Sequence, residues 1–420
     1  MNVTRTTSAT RSGRRARRLA ALALAAATVV ALTPAAAVAA DGSSSTTVAS
    51  DAATRVDLSP ELRAVVEPGA TTAALAETRE NGRRTWRDSA GVTDLDSRRP
   101  ARADGRFRIG SVTKTFVSTV VLQLVDEGKL RLDDPVERHL PGVVPNGGAI
   151  TLRHLLNHTS GLDDYLDDPR FLFKGEESLR TFLAGRRWQD YRPAELIEAG
   201  VGRPPHFPPG RGWHYSNTNY ILVGEVVRKV TGHRWQREVE RRIVEPLRLK
   251  DTVFPGSSPG VPGPHAHGYA RLPEGPVDIT LINPTVGDAA GNGISTTADL
   301  NRFHAALFGG ALLSPARFAE MTTVVPATDL DAHYGLGLIR YDLPCGEVWG
   351  HTGGVPGYST VWLGSKDGTR QFALSFNDVA GVESPGTHAA MNAFVRTASC
   401  GPQAAATTSA GVNSSFAELR

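Results

Sequence analysis

The stretch GSVTKTF, residues 110–116, places Ser111 three residues before Lys114 at the start of a very apolar run. Positions three apart lie on one face of a helix, about 5–6 Å apart between Cβ atoms. A buried ammonium at a helix N-terminus is disfavoured by desolvation and by the helix dipole, and both effects lower the pKa of the amine. The spacing therefore predicts that Lys114 accepts a proton from Ser111 and makes it a nucleophile.

This pairing is distinctive within the chain, because only one of its six lysines follows a serine by three residues. The structural alternative is that Ser111 is an ordinary helix cap and that Lys114 extends into solvent. Tyr215 and Asn217, after a loop rich in proline and glycine, offer a phenol that can relay protons and an amide that can orient a carbonyl. A packed tyrosine and a capping asparagine are the alternative here.

A third polar stretch ends a predicted strand at His351, Thr352 and Gly353, followed by Gly354. A strand edge can bind an extended peptide by backbone pairing. Thr352 adds a hydroxyl and His351 a polar or cationic group, although a simple turn at the end of a strand would use the same residues.

The elements that position these groups form an α+β pattern. Strands are predicted around the turn at Glu80-Asn81-Gly82 and in three segments near the C-terminus, where Asp367-Gly368 joins the last two. The intervening segments have helical periodicity, and several end at glycine. The prediction is an antiparallel sheet of N- and C-terminal strands flanked by helices, with an inserted all-helical domain.

The boundaries of this organisation also follow from composition. The predicted segments are a signal peptide (1–40), a linker (41–55), a sheet domain (56–110 and 325–400), a mainly helical domain (111–324) and a disordered tail (401–420).

The leader combines a basic start, an apolar alanine-rich stretch and small residues before Asp41, so we expect a secreted protein. A transmembrane anchor is the alternative, which Pro34 disfavours. The leader holds six arginines and no acid, and its removal changes the formal net charge from +3 to −3. The basic balance therefore does not indicate a nucleic-acid partner.

The chain has two cysteines, Cys345 and Cys400. In an exported protein such a pair predicts one disulfide, with two buried thiols as the alternative. The bond would stabilise the fold by roughly 4 kcal/mol in the chain-entropy model.

Taken in this order, the three polar stretches resemble the Ser-x-x-Lys, Tyr-x-Asn and Lys/His-Thr-Gly motifs of penicillin-recognising serine hydrolases. The resemblance extends from about residue 60 to residue 402 and includes the runs LLNHTSGL and YGLGL. With histidine at 351 and the cysteine pair, the chain is most similar to secreted D-alanyl-D-alanine carboxypeptidases, in the branch that also holds class C β-lactamases. The family fold places the site between a sheet domain and a helical domain.

The resemblance implies a role for each motif residue. Ser111 would be acylated, and Asn217 would contact the substrate amide. Lys114 and Tyr215 would transfer protons, and either of them could be the base. The N–H groups of Ser111 and Gly354 would form the oxyanion hole. The residues His351, Thr352 and Gly353 would face the terminal carboxylate of the substrate.

One position departs from the family pattern. Carboxypeptidases of this kind have a carboxylate-binding arginine on the strand before the first cysteine, where this chain has Ile339 followed by Arg340. Adjacent strand residues face opposite sides. Either a bulge redirects Arg340 or carboxylate recognition is weaker here.

Two other polar patterns in the sequence suggest different chemistry. Ser258 lies in a G-x-S-x-G match typical of α/β-hydrolase esterases, but no strand precedes it, and Pro259 lacks the N–H that an oxyanion hole needs. His265 and His267 suggest a metal site together with the acids Asp163, Asp164, Asp167 and Asp168. Without a third ligand at a recognisable spacing, we interpret them as solvated loop residues and expect no metal or cofactor.

Three functions remain on this fold. A carboxypeptidase or transpeptidase acting on D-Ala-D-Ala peptides of peptidoglycan is the first expectation, with β-lactams as inhibitors or substrates. A β-lactamase or a broad esterase or amidase is the second, and a non-catalytic penicillin-binding module is the third. We also expect a monomer without a stable membrane anchor or a nucleic-acid partner.

Overall fold

The computed structural model describes residues 56–67, 69–171, 175–380, 382 and 384–401. The predicted signal peptide, the linker and the tail beyond residue 401 lie outside these residues. Along the described chain, the helices are α1 (Ser59–Val66), α2 (Thr113–Asp126), α3 (Val136–His139), α4 (Leu152–Leu156), α5 (Gly175–Ala184), α6 (Pro193–Val201), α7 (Asn217–Thr231), α8 (Trp235–Val239), α9 (Glu245–Leu247), α10 (Asp288–Gly291), α11 (Thr297–Phe308), α12 (Pro315–Met321) and α13 (Pro385–Cys400).

The strands come from both ends of the sequence and from its middle. They are β1 (Thr71–Glu80), β2 (Arg83–Gly91), β3 (Phe107–Arg108), β4 (Tyr269–Leu272), β5 (Gly275–Asp278), β6 (Ile294–Ser295), β7 (Val325–Ala327), β8 (Ala332–Tyr334), β9 (Ile339–Leu343), β10 (Gly346–Val355), β11 (Tyr358–Gly364) and β12 (Arg370–Ala380). The main sheet has the order β2-β1-β12-β11-β10-β9-β8-β7 and is antiparallel along this path.

Local sequence accounts for the outer hairpin of the sheet. Asn81 and Gly82 connect β1 to β2 with φ values of 50° and 75°, and a two-residue turn with positive φ at both positions matches the twist of the strands. The long strand β12 then pairs with β1, so the two ends of the chain form one sheet. The predicted α+β fold is confirmed.

Helices cover both faces of the sheet. Helices α1 and α13 pack on one face, where Leu62 and Phe394 join a core with sheet residues. On the other face, α2 and α11 contribute Phe116 and Phe303, whose rings stack with centroids 3.8 Å apart. The disulfide Cys345–Cys400 is formed, and it joins the β9–β10 turn to the end of α13.

The middle of the chain differs from the prediction in two details. The segment 151–161, which lies in the region of helical periodicity, is helical only over α4, because the chain turns at His158 and Gly161, where φ is 62° and 80°. The insert predicted as all-helical also contains the β4–β5 hairpin, which pairs with β12. The division into a sheet domain and a helical domain stays a prediction. Among the described residues, no helix is both long and apolar enough to cross a bilayer.

Candidate active site

Ser111 lies in a single 3-10 turn, Gly110–Val112, that leads directly into α2. Every residue from Thr113 to Leu122 is buried, so this helix is surrounded by protein on all sides at its N-terminal end. Lys114 is fully buried with them, and its Nζ lies 2.9 Å from the Ser111 Oγ. The structural alternative of a lysine that extends into solvent is therefore wrong.

The Lys114 amine has three polar neighbours. Besides the Ser111 Oγ, it lies 2.7 Å from Asn217 Oδ1 and 2.8 Å from the carbonyl oxygen of Ala290 in α10. Burial lowers the pKa of Lys114 to about 7, against the opposing effect of the Asp164 carboxylate. A neutral amine has two N–H donors and one lone pair. It can donate to Asn217 and Ala290 and direct the lone pair at the Ser111 hydroxyl.

Asp164 completes this network from the loop after α4. Its Oδ2 accepts hydrogen bonds from the backbone N–H of Asn217 (3.0 Å) and from Asn217 Nδ2 (2.7 Å). Burial raises the pKa of Asp164, although those bonds and the Lys114 charge oppose the shift. The earlier interpretation of Asp163 and Asp164 as solvated residues is wrong, because they are only 5% and 9% exposed. The fixed Asn217 amide connects Asp164 to Lys114.

Tyr215 contributes its phenol from the segment before α7. The Lys114 Nζ lies 4.9 Å from the centroid of the Tyr215 ring, and the Ser111 side chain is close enough to act on the pKa of the Tyr215 hydroxyl. Burial raises the pKa of Tyr215 far above its ordinary value. The phenol therefore stays protonated at neutral pH, which favours Lys114 as the base and Tyr215 as a proton donor.

His158, from the LLNHTSGL run, supports this phenol. Its ring stacks on Tyr215 with centroids 4.3 Å apart, and its Nδ1 accepts hydrogen bonds from the Ser216 N–H and from Asn219 Nδ2. Burial lowers the pKa of His158 well below its ordinary value, so the ring is neutral. His158 positions the segment that carries Tyr215 and Asn217.

The expected oxyanion hole is a place where two backbones meet. A Cβ on Gly353 would lie 2.0 Å from the Ile109 carbonyl oxygen and 3.0 Å from the Ser111 nitrogen, and a Cβ on Gly110 would lie 2.7 Å from the Gly354 nitrogen. Only glycine fits at such distances. The nitrogens of Ser111 and Gly354 are thus brought together.

The direction of the Gly354 N–H follows from the hairpin register. Val355 pairs with Tyr358 across a two-residue turn, and hydrogen-bonded and non-hydrogen-bonded pairs alternate in an antiparallel ladder. Gly354, opposite Ser359, therefore directs its N–H away from β11. Among the described residues, β9 pairs with β10 only as far as Gly350. The backbone edge from His351 to Val355 therefore has no partner from β9 and could pair with an extended substrate.

His351 is buried and neutral. Its Nε2 lies 2.8 Å from the Tyr334 hydroxyl, while Nδ1 donates to the carbonyl of Thr352. Burial, with a further contribution from the Lys114 charge, lowers the pKa of His351 to about 3. The ring therefore supplies no positive charge for a carboxylate. The Thr352 side chain is close enough to the Tyr341 phenol to oppose the rise that burial causes in the pKa of that phenol.

Arg340 does not replace the arginine that the family pattern has at position 339. The β9–β10 register runs without a bulge, so Ile339 is buried and Arg340 faces the other side. The guanidinium lies 3.1 Å from His333 Nδ1 and 3.0 Å from Asp342 Oδ2.

Three residues from the alternative polar patterns lie outside this arrangement. Ser258 is exposed in a turn, and its N–H donates to the Pro255 carbonyl. His265 Nδ1 lies 2.8 Å from the Gly263 carbonyl, and His267 Nδ1 lies 2.7 Å from Asp278 Oδ2.

The sequence predicts a site made of Ser111, Lys114, Tyr215, Asn217 and the 351–354 stretch, but it assigns no role to Asp164, His158 or Tyr334. Their only signal was their presence in or beside the runs LLNHTSGL and YGLGL.

Comparison with known proteins supplies the family. The model of the family described as "Beta-lactamase" matches residues 62–394. "Penicillin-binding protein 4*" of Bacillus subtilis is 29% identical over 299 residues, which are 68% of this chain and 63% of that protein. The chain thus spans less than two thirds of that curated relative.

Solved structures match over most of both chains. A D-stereospecific amidohydrolase from Streptomyces sp. is 39% identical with a TM-score of 0.73, over 82% of this chain and 98% of that one. A D-amino acid amidase from Ochrobactrum anthropi SV3, complexed with L-phenylalanine amide, is 26% identical with a TM-score of 0.70, over 80% and 96% of the two chains.

Proposed function

The chain belongs to the beta-lactamase family and is a serine hydrolase of the β-lactamase and penicillin-binding protein superfamily, and on that premise we propose that it is a D-stereospecific amidohydrolase. Its substrates would be amides of D-amino acids or of D-terminated peptides, without a free carboxylate beyond the scissile bond. The observation that carries this proposal is the environment of the strand edge, where Ile339 is apolar, His351 is neutral and Arg340 is bound to Asp342.

In the acylation step, the Ser111 Oγ attacks the amide carbonyl while the Lys114 lone pair, 2.9 Å away, accepts the hydroxyl proton. The N–H groups of Ser111 and Gly354 stabilise the oxyanion that develops. Tyr215, which burial keeps protonated, donates a proton to the leaving nitrogen, so the C–N bond breaks and a neutral amine departs. Lys114 then returns the proton to the phenol.

In deacylation, Lys114 removes a proton from a water that attacks the ester carbonyl, and the Ser111 Oγ leaves and is reprotonated. An amine can replace this water, which would give transfer instead of hydrolysis. A β-lactam would acylate the same serine, because its strained amide presents the same carbonyl; the likeness to a penicillin-binding protein supports this.

Two matched substrates test the proposal directly. One peptide ends in D-Ala-D-Ala with a free carboxylate, and the other is identical but carries a C-terminal amide. We expect kcat/KM for the amidated form to equal or exceed that for the carboxylate form, and D-phenylalaninamide to be hydrolysed at least about tenfold faster than its L enantiomer. Ser111→Ala is the control for each rate.

The carboxypeptidase activity expected from the sequence remains the second candidate, supported by the likeness to a penicillin-binding protein. A carboxylate form preferred by tenfold or more would favour it. Turnover of a chromogenic cephalosporin alone would favour a β-lactamase, turnover of p-nitrophenyl esters alone an esterase, and stable labelling by fluorescent penicillin without turnover a binding module. Secretion through the N-terminal leader and a monomeric state also stay proposals.

A further inference from the structure

Three potential metal ligands meet beside the candidate active site. Asp163, His206 and His214 each offer one ligand atom, and these atoms all lie within 4.8 Å of one another. Asp163 immediately precedes Asp164, and His214 immediately precedes Tyr215, yet the cluster is not part of the serine chemistry described above.

The two imidazoles are already close to the carboxylate and to each other. Their ring centroids are 3.7 Å apart, with the planes tilted by 31°. His206 Nε2 lies 2.8 Å from Asp163 Oδ1, and the other carboxylate oxygen, Oδ2, is paired with Arg203. One carboxylate oxygen therefore faces the histidines while the other is held by a cation.

His214 supplies the second, independent indication of a ligand. Its Nε2 is buried and has no hydrogen-bond partner among the described residues. A buried polar atom without a partner costs free energy, so such atoms are rare unless a water or an ion satisfies them. A metal ion bound by His206 and Asp163 would lie within reach of the His214 ring, whose ligand atom belongs to the same cluster.

Backbone hydrogen bonds fix the loop that carries both histidines. His206 N–H donates to the Gly161 carbonyl (2.9 Å), Gly210 N–H to that of Thr159 (2.8 Å) and His214 N–H to that of His158 (3.1 Å). The loop therefore holds the imidazoles in place before any ion binds, which reduces the entropy that binding must overcome.

We propose that Asp163, His206 and His214 form a binding site for a divalent transition-metal ion, for which Zn²⁺ is the best match. Zn²⁺ binds imidazole nitrogens and carboxylate oxygens, and three protein ligands leave a fourth position for water. The ion would take Oδ1 of Asp163 and the Nε2 lone pair of His206, and the proton that lay between these two atoms would be released to solvent.

The ion would connect the loop that carries the two histidines to the start of α7, which carries Asn217. The carbonyl of Asp163 accepts hydrogen bonds from Ser216 Oγ (2.9 Å) and Thr218 Oγ1 (2.7 Å), and Asp164 holds Asn217. Because the ion binds only the folded arrangement, it stabilises the protein by mass action.

The test uses the full chain without a histidine tag, stripped with chelator. Zn²⁺ is titrated in competition with a chromogenic chelator, and the unfolding temperature is followed in parallel. We expect one equivalent bound per chain and a higher Tm with Zn²⁺. His206→Ala and His214→Ala each weaken binding by at least about tenfold and abolish the Tm increase.

The chain contains its own control. His265 and His267 form another close pair, with ring centroids 5.5 Å apart, but His265 is bound to a carbonyl and His267 to Asp278. His265→Ala and His267→Ala should leave zinc binding unchanged. The proposal is overturned if the wild type binds no more zinc than the His206→Ala/His214→Ala double variant, or if affinity falls with the control pair instead. Equal Tm values in chelator show that a variant is folded.

Discussion

Two halves of the candidate site differ in how closely they follow the family pattern. One half holds the proposed nucleophile, and the other would hold the end of the substrate. Ser111, Lys114, Tyr215 and Asn217 all match the family pattern, and Lys114 is hydrogen-bonded to both Ser111 and Asn217. At the strand edge, an arginine is replaced by Ile339. Helices and loops carry the first half and the strands β9 and β10 the second, so recognition can change while the proposed acyl-transfer chemistry stays the same.

The largest effect is expected from Ser111→Ala, which removes the nucleophile. We expect kcat on every accepted substrate to fall by about 10⁴-fold or more, because the residues of such a unit do not substitute for one another. Mass spectrometry after incubation with penicillin would show the loss of the acyl adduct. Ser258→Ala, at an exposed serine, should keep full activity; the reverse pattern would refute the assignment of the nucleophile.

The backbone junction between the two halves is tested by Gly353→Ala. The added methyl group would collide with the Ile109 carbonyl and press on the Ser111 nitrogen. We expect kcat to fall by roughly 10²-fold through misplacement of the oxyanion hole. Gly148→Ala is the control, since its Cβ would meet nothing within 4 Å. Equal activity of both variants would mean that the junction does not position the site.

The pH dependence of the nucleophile half has a defined sign. Lys114 acts as a base only when neutral, and its pKa is about 7, so kcat/KM should fall about tenfold per pH unit below pH 7 and level off above it. The Asp164 charge raises the pKa of Lys114. Asp164→Asn should therefore move this acid limb to lower pH, by roughly one unit.

The pH–rate profile of each protein measures this shift, and Asp168→Asn, at an acid paired with Arg170 on the same loop, serves as the control. An unchanged limb in Asp164→Asn would show that Asp164 carries no charge beside Lys114.

The smallest effect is expected in the substrate half, from Arg340→Ala. Because the guanidinium is bound to His333 and Asp342, its loss should change kcat/KM by no more than about twofold for either the carboxylate or the amide peptide. Steady-state kinetics with the two peptides measures this. A selective loss of tenfold or more for the carboxylate form would mean that Arg340 reaches the substrate, and the contrast between the two halves would disappear.

The sequence by itself determined the features that depend on near neighbours. Ser111 and Lys114 share a helix face, the Asn81-Gly82 turn sets a hairpin, and strand alternation turns Arg340 away from the face of Ile339. The first and third follow from a period of 3.6 or of two residues, and the turn follows from the positive φ values that Asn and Gly accept, so a few residues in sequence are enough to specify each.

Only the tertiary structure decided which distant side chains meet. Asn217 contacts Asp164 across 53 residues and Lys114 across 103, and Asp163 meets two histidines of a later loop. No periodicity links such positions, because the paths of irregular loops decide which side chains become neighbours. The same burial that brought these residues together shifted the pKa values of Lys114 and His351, and so decided which group can act as a base and which cannot hold a charge.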